Sequence, residues 1–316
     1  MKDCFRQIII IFLIGFVFLF CDKKKELSFS SDIDVQEIIS KIFTTKKAIL
    51  DFKKEGQALC QKQYDCLFLS FWDFDGTILK GDCSEGLTED GKAVYKGLLQ
   101  LSIEDGFSIS YNKNEFTKFE KDYREMEAKK GSAIAYQYIA QIYQGQDKKK
   151  LETFTSIYFE NTLRKFYFSE SIKILNSMIG QDDFRVYIIS ASPDFFVKGA
   201  SGSLKIPKSQ IRGINLEDKD GILTNKIKQP ITYAEGKTKA LQKIVLDIIK
   251  EKKYKNVFVL AGFGNSYQTD APFLKYIIEQ KLPVSKPVAV MINGGKPPIE
   301  YDGLFYNTKF LNTKRE

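Results

Sequence analysis

Residues 67–72, Leu-Phe-Leu-Ser-Phe-Trp, make an apolar run of strand length that stops abruptly at Asp73, Asp75, Gly76 and Thr77. Apolar, β-prone runs bounded by a turn residue read as buried strands. A strand this apolar is usually covered on both faces, as in a parallel sheet. Similar runs stand at Phe184–Ile189, Ile211–Leu216, Val257–Ala261 and Val288–Ile292. Between them, helical spacing predicts helices over Glu170–Ile179, Asp194–Gly199, Glu235–Lys250 and Pro272–Glu279. The Asp220-Gly221 pair predicts a hairpin into Ile222–Ile227. Strand–helix alternation of this kind predicts an α/β fold with a doubly wound, mostly parallel sheet.

Between Thr77 and Phe184 the pattern changes. No strong strand signal occurs, and Gly86–Leu101, Glu115–Lys129, Ile134–Tyr143 and Leu151–Phe166 are predicted as helices. This gives a helical unit at 83–167 inserted into a core formed by 65–82 and 168–316. A helical unit placed directly after the first strand would sit over its carboxyl end, where a lid excludes water and selects substrates. Its many tyrosines and phenylalanines are core by default, and the other reading of some is a box for a cationic group. Residues 22–64 read as a tether followed by one or two helices. From Val35 to Tyr64 the apolar positions fit packing on the core, with a membrane-surface helix as the alternative. The tail, 296–316, shows little pattern.

The amino terminus has its own logic. Lys2 and Arg6 precede an unbroken apolar run from Ile8 to Phe20, then Cys21 and Asp22-Lys23-Lys24-Lys25. The run is short for a membrane span and suits a signal-peptide core. A cysteine directly after it resembles a lipoprotein processing site, although Phe20 is larger than the residue usual before that cysteine. An uncleaved anchor and ordinary secretion are the other readings. Each places the bulk of the chain outside the cytoplasm, and the first two attach it to a membrane by lipid or anchor. In an exported chain Cys60 and Cys66 are close enough in sequence to pair, or else they are small buried hydrophobes.

Composition narrows the chemistry. The 316 residues include no histidine, which excludes Ser-His-Asp and Cys-His catalysis and any zinc site that needs imidazole. Acid–base work falls to carboxylates first. The formal charge of +8 comes mainly from lysines and favours anions in general. No nucleic-acid-binding motif is present.

Period two aims Asp73 and Asp75 the same way, at the strand end where open α/β sheets bind ligands. Two neighbouring carboxylates repel unless a cation or shared proton offsets them. Ser190, Lys237 and the run Gly264-Asn265-Ser266-Tyr267-Gln268-Thr269-Asp270 follow later predicted core elements. Taken singly, Ser190 reads as a turn residue, Lys237 as a surface lysine and the run as a loop with a helix cap.

In this order, however, Asp73-Phe74-Asp75-Gly76-Thr77, Ser190, Lys237 and Asn265 with Asp270 resemble the four motifs of the haloacid dehalogenase superfamily of phosphohydrolases. The resemblance implies a Rossmann-like core with a helical C1-type cap, and an aspartyl-phosphate mechanism. It makes Asp73 the nucleophile, Asp75 the general acid/base and Lys237 the group that steadies negative charge. Thr77 and Ser190 would hold phosphate oxygens, and Asp73, Asp75, Asn265 and Asp270 would surround Mg²⁺. An acid at position 75 disfavours the dehalogenase and transport-ATPase branches. One departure is Asn265, where the family usually has aspartate: an amide oxygen binds Mg²⁺ but brings no charge. Asp82, with Glu85 beside it, stands where the phosphoserine phosphatase branch places an acid for the substrate's amino group. Solvated loop acid is the other reading. The segment Ile189-Ser190-Ala191-Ser192-Pro193 and the export signal are also similar to exported phosphorylcholine phosphatases. The implied partner is a small phosphate ester, phosphorylcholine or phosphoserine being the candidates. The alternative is a surface lipoprotein that keeps this fold and binds a ligand or partner without turnover, a reading that Asn265 favours.

Overall fold

A computed structural model of the chain describes residues 32–61 and 65–313. The predicted export segment, Cys21 and the tether up to Ser31 lie outside the described residues. The first element is helix α1 (Asp32–Asp51), followed by strand β1 (Cys66–Trp72). Helices α2 (Leu98–Glu104), α3 (Phe116–Lys130), α4 (Ser132–Gln141), α5 (Lys148–Asn161) and α6 (Ser169–Met178) come next. Then follow β2 (Phe184–Pro193), β3 (Ile211–Ile214), α7 (Glu235–Lys250), β4 (Asn256–Gly264), α8 (Ala271–Ile278), β5 (Val288–Ile292) and β6 (Tyr306–Thr308).

The six strands form one sheet in the order β6-β5-β4-β1-β2-β3, and every pairing is parallel. This is the α/β doubly wound architecture expected from the alternation of elements. All seven residues of β1 are buried, and they alternate between two cores. Leu67, Leu69 and Phe71 pack with Leu241 and Ile244 of α7 and Leu274 and Ile277 of α8. Phe68 and Trp72 face the other way, with Ile38 and Ile42 of α1 and Ile174 of α6. Covering both faces is what a continuous apolar strand needs. The apolar face of α1 is thus spent on the protein core and not on a membrane surface. Among the described residues no helix is long and apolar enough to cross a membrane.

At the foot of β1, Cys60 and Cys66 form a disulfide with Cα atoms 5.6 Å apart. Lys46 of α1 ties the helix to the start of β2 through Asp183 at 2.6 Å and Gln181 at 2.7 Å.

Three stretches depart from expectation. Gly86–Leu101 is not a helix: Gly86–Glu89 and Lys92–Lys96 pair as an antiparallel hairpin, and α2 begins only at Leu98. Asp90 and Gly91 supply the positive φ values, 48° and 73°, that a tight hairpin turn requires. Of the one or two helices expected before the core, α1 is the one present among the described residues, and Lys53–Lys54 pairs with Gln57–Ala58 after it. The run Ile211–Leu216 divides: β3 stays in the sheet, while Leu216–Lys219 turns out and pairs with Ile222–Ile227 through the expected Asp220-Gly221 turn. The tail contributes β6, an edge strand too short and polar to stand out as a strand signal.

The hairpin at 216–227 also holds the inserted helices. Gly145 donates to the Leu223 carbonyl at 2.7 Å, Leu223 to Gln146 at 2.9 Å, and Lys148 to Gly221 at 2.9 Å. The helical insertion is therefore stitched to the core by backbone hydrogen bonds as well as by side-chain packing.

Candidate active site

The β1 ladder runs one residue past the strand, where the Asp73 amide donates to the Phe263 carbonyl at 2.8 Å. Phe74 turns away into the edges of Phe159 and Tyr167. The amides of Ile78 and Leu79 both return to the Phe74 carbonyl, at 2.8 and 3.0 Å, and close a tight turn. Gly76 sits in that turn at φ 71°. A Cβ there would lie 1.9 Å from Asn265 Nδ2, so only glycine lets the two loops touch.

Lys237 stands in the first turn of α7. A cation is disfavoured at that end of a helix unless anions offset it. Here its ammonium lies 2.5 Å from Asp73 Oδ1 and 2.5 Å from Asp270 Oδ1, with only 1% of the residue exposed. The other Asp73 oxygen accepts from the Thr77 hydroxyl at 3.0 Å. The second Asp270 oxygen accepts from the amides of Asn265 at 2.9 Å and Ser266 at 3.0 Å. Asp270 thus shapes the loop after β4 and fixes the lysine.

Asp75 is held from both sides. Oδ1 accepts from the Cys83 amide at 2.7 Å, and Oδ2 from the Ser192 hydroxyl at 2.7 Å and the Ser190 hydroxyl at 3.3 Å. The Ser190 carbonyl accepts from Thr232 at 2.6 Å. Asp82 uses one oxygen to accept the amides of Ser84 and Glu85, at 2.7 and 2.9 Å, a turn-forming role.

The electrostatics follow from burial. Asp73 is pushed up to about 7 by desolvation and by Asp270 and Asp75, with Lys237 pulling the other way. Burial likewise raises Asp75, against the hydrogen bonds from Cys83 and Ser192. Burial, Asp75 and Glu85 raise Asp82 well above the usual carboxylate range. Burial works against the charged form of Lys237, but Asp270 and Asp73 outweigh it and hold the ammonium protonated.

These groups open into a cavity of about 250 Å³. Of the residues named from sequence, Asp73, Asp75, Asp82, Ser190, Lys237 and Asn265 border it. Thr77 and Asp270, both fully buried, do not; they grip Asp73 and Lys237 from within the protein. Larger hollows, of about 620 and 780 Å³, lie beside Arg212 and between α1 and β5, and hold none of the named residues. Sequence reasoning gave no individual role to Ser192, Gln268 and Thr269, which lie inside quoted runs, or to Tyr136, one of many aromatics. It missed Tyr233 on the core side and Glu127 and Ser132 from the inserted helices. Ser192 carried a signal, its position two residues after Ser190 on one strand. Glu127 and Ser132 carried none, and Tyr136 only that of an aromatic-rich stretch, because their facing depends on how the insertion packs.

Residues 70–275 match the model of the haloacid dehalogenase-like hydrolase family. The chain belongs to that family. Membership makes it a hydrolase on the core just described. Among solved structures it is similar to a protein of unknown function from Bordetella pertussis Tohama I, at 12% identity and a TM-score of 0.56 over 77% of this chain and 98% of that one. It is also similar to a functionally unknown protein from Anaerococcus prevotii DSM 20548, at 12% identity and a TM-score of 0.52 over 92% and 97% of the two chains. Both likenesses concern the fold. No curated protein matches the sequence.

Proposed function

We propose that this hydrolase is a Mg²⁺-dependent phosphomonoesterase acting through an aspartyl-phosphate on a small organic phosphate. One observation carries the reading: Asp73, clamped by buried Lys237, faces the same small cavity as a second carboxylate, Asp75, that is held by separate donors. Two carboxylates with different partners can take different roles. Asp73 forms the new bond to phosphorus as the bond from phosphorus to the alcohol oxygen breaks. Asp75 gives its proton to that oxygen. It then takes a proton from the water that attacks the phosphorus, releasing phosphate and restoring Asp73. Lys237 keeps Asp73 oriented and offsets charge beside it, and Ser190 is positioned for a phosphate oxygen.

The residues present fit Mg²⁺. The donors are hard oxygens, and the raised pKa of Asp73 marks a place where negative charge is under-compensated. Asp73 and Asn265 border the cavity and would hold the ion. The oxygens of Asp270, spent on Lys237 and two amides, support them from behind. Bound there, Mg²⁺ supplies charge neutralisation for one anion approaching another.

Glu127, Asp82, Tyr136 and Tyr233 border the same cavity, with the two tyrosine rings 5.3 Å apart. An acidic and aromatic wall suits an alcohol bearing an ammonium group, which makes phosphorylcholine and phosphoserine the leading substrates. Export and attachment to a membrane are supported by Lys2, Arg6, the run Ile8–Phe20 and Cys21. The Cys60–Cys66 disulfide agrees with an oxidising compartment.

The full chain in detergent, offered 4-nitrophenyl phosphate, phosphorylcholine and phosphoserine, tests the proposal. Phosphate release should require Mg²⁺, stop with chelator, and fall by about 10⁴-fold or more in Asp73→Asn. Undiminished turnover by Asp73→Asn would remove the nucleophile and the mechanism with it.

A further inference from the structure

We infer that Ser192, oriented by Ser84, is a positioning residue that aims the proton of Asp75 at the leaving group. The inference rests on the phosphatase reading above. Ser192 Oγ donates to Asp75 Oδ2 at 2.7 Å, closer than Ser190 at 3.3 Å. A hydroxyl has one proton to give. With that proton committed to Asp75, Ser192 is left as an acceptor, and Ser84 Oγ fills that place at 3.1 Å. Both serines are buried, at 3% exposure each. Ser84 is set in turn by its own amide, which donates to Asp82 Oδ1 at 2.7 Å.

The opposite oxygen of Asp75 is held by the Cys83 amide at 2.7 Å. The carboxyl group is therefore gripped at both oxygens, from Cys83 on one side and from β2, backed by Ser84, on the other. Rotation about the bond to the carboxyl group would break one grip or the other. What remains open is the side that borders the cavity. In the first step the proton leaves Asp75 for the alcohol oxygen as the bond from phosphorus to that oxygen breaks and the bond to Asp73 forms. An alkoxide leaves poorly without that proton, whereas 4-nitrophenolate leaves without help. Misaiming Asp75 must therefore slow formation of the aspartyl-phosphate from alkyl esters more than from the aryl ester, a step that kcat/KM reports, while its later role as base is common to both.

The full chain with Mg²⁺ is assayed on an alkyl phosphate, such as phosphorylcholine or phosphoserine, and on 4-nitrophenyl phosphate. Ser192→Ala should lower kcat/KM for the alkyl ester by about ten- to a hundredfold, the scale expected of a misplaced catalytic group. The fall in kcat/KM for the aryl ester should be at least about fivefold smaller, and kcat should fall for both esters where hydrolysis of the aspartyl-phosphate limits turnover. Ser192→Thr, which keeps the hydroxyl, should recover most of the alkyl activity. Ser84→Ala, one hydrogen bond further out, should show the same selectivity at smaller size and serves if Ser192→Ala fails to fold. Equal losses of kcat/KM on both esters, or none on either, in a folded variant would overturn the inference while leaving the phosphatase reading intact. Absence of turnover of any ester by the wild-type chain would overturn both.

Discussion

On the core side of the cavity, Asp73, Ser190 and Asn265 lie at or just past the carboxyl ends of β1, β2 and β4, three neighbouring parallel strands. Their spacing follows from sheet register, and each is held by backbone or buried side-chain partners. On the helical side, Glu127 lies in the last turn of α3 while Ser132 and Tyr136 belong to α4. The hydrogen bonds of Glu127 and Ser132 are local, and Tyr136 meets the core through the ring of Tyr233. Glu127 meets Ser132 at 3.0 Å and the solvent-facing Arg124 at 3.3 Å. Rigid ladder ends suit the chemistry, which needs fixed atoms, and the packed helix pair suits the choice of alcohol, which needs only a complementary wall.

The division should fail most visibly at Lys237. Lys237→Met leaves Asp73 and Asp270 buried without their shared cation. Turnover of 4-nitrophenyl phosphate should drop by about 10²–10³-fold. Urea unfolding should show a loss of about 3–5 kcal/mol. A folded, fully stable Lys237→Met protein would mean that the core side is less tightly coupled than its distances imply.

A smaller effect concerns pH. Asp73 keeps its proton up to about 7 in the folded chain, against an ordinary value of 3.8. Between those values the folded state binds more protons than the unfolded state, so the contribution is full below about pH 4 and is lost as pH rises through 7. The metal-free protein should melt about 2–4 °C lower at pH 7.5 than at pH 5.5. Asp73→Asn should remove its share of that slope, and a slope unchanged in the variant would place the titration elsewhere.

The helical wall should give the smallest effect. Tyr136→Ala or Glu127→Gln should raise KM for phosphorylcholine about three- to tenfold, with kcat on 4-nitrophenyl phosphate within about twofold of the parent. Matching losses on both esters would erase the distinction between a reactive floor and a selective wall.

The same contrast governs what could be read from the sequence. Apolar runs ending in polar residues announced β1, β2 and β4, and the residues at their ends followed. Lys237, indistinguishable from a surface lysine by itself, was readable only from its order among the other motifs. The hairpin at 86–96 was missed although Asp90-Gly91 is the same pair that marked the turn at Asp220-Gly221. The longer stretch around it was taken as helical. Glu127 carried no signal, and Tyr136 was readable only as one of many aromatics that could form core or a cationic box, because the side a helix turns toward a cleft is settled by tertiary packing. Thr77 and Asp270 were found but placed against substrate or metal, where the structure has them holding Asp73 and Lys237.

The order of the sheet has a further consequence for how the protein is made. β1 is translated first but lies in the middle, and its β4 neighbour begins only at Asn256. The lysine that completes the nucleophile is 164 residues downstream of it. For most of synthesis, then, a strand that ends up wholly buried has one edge with no partner. Nothing resembling a reactive centre exists until the last third of the chain has emerged and closed around it.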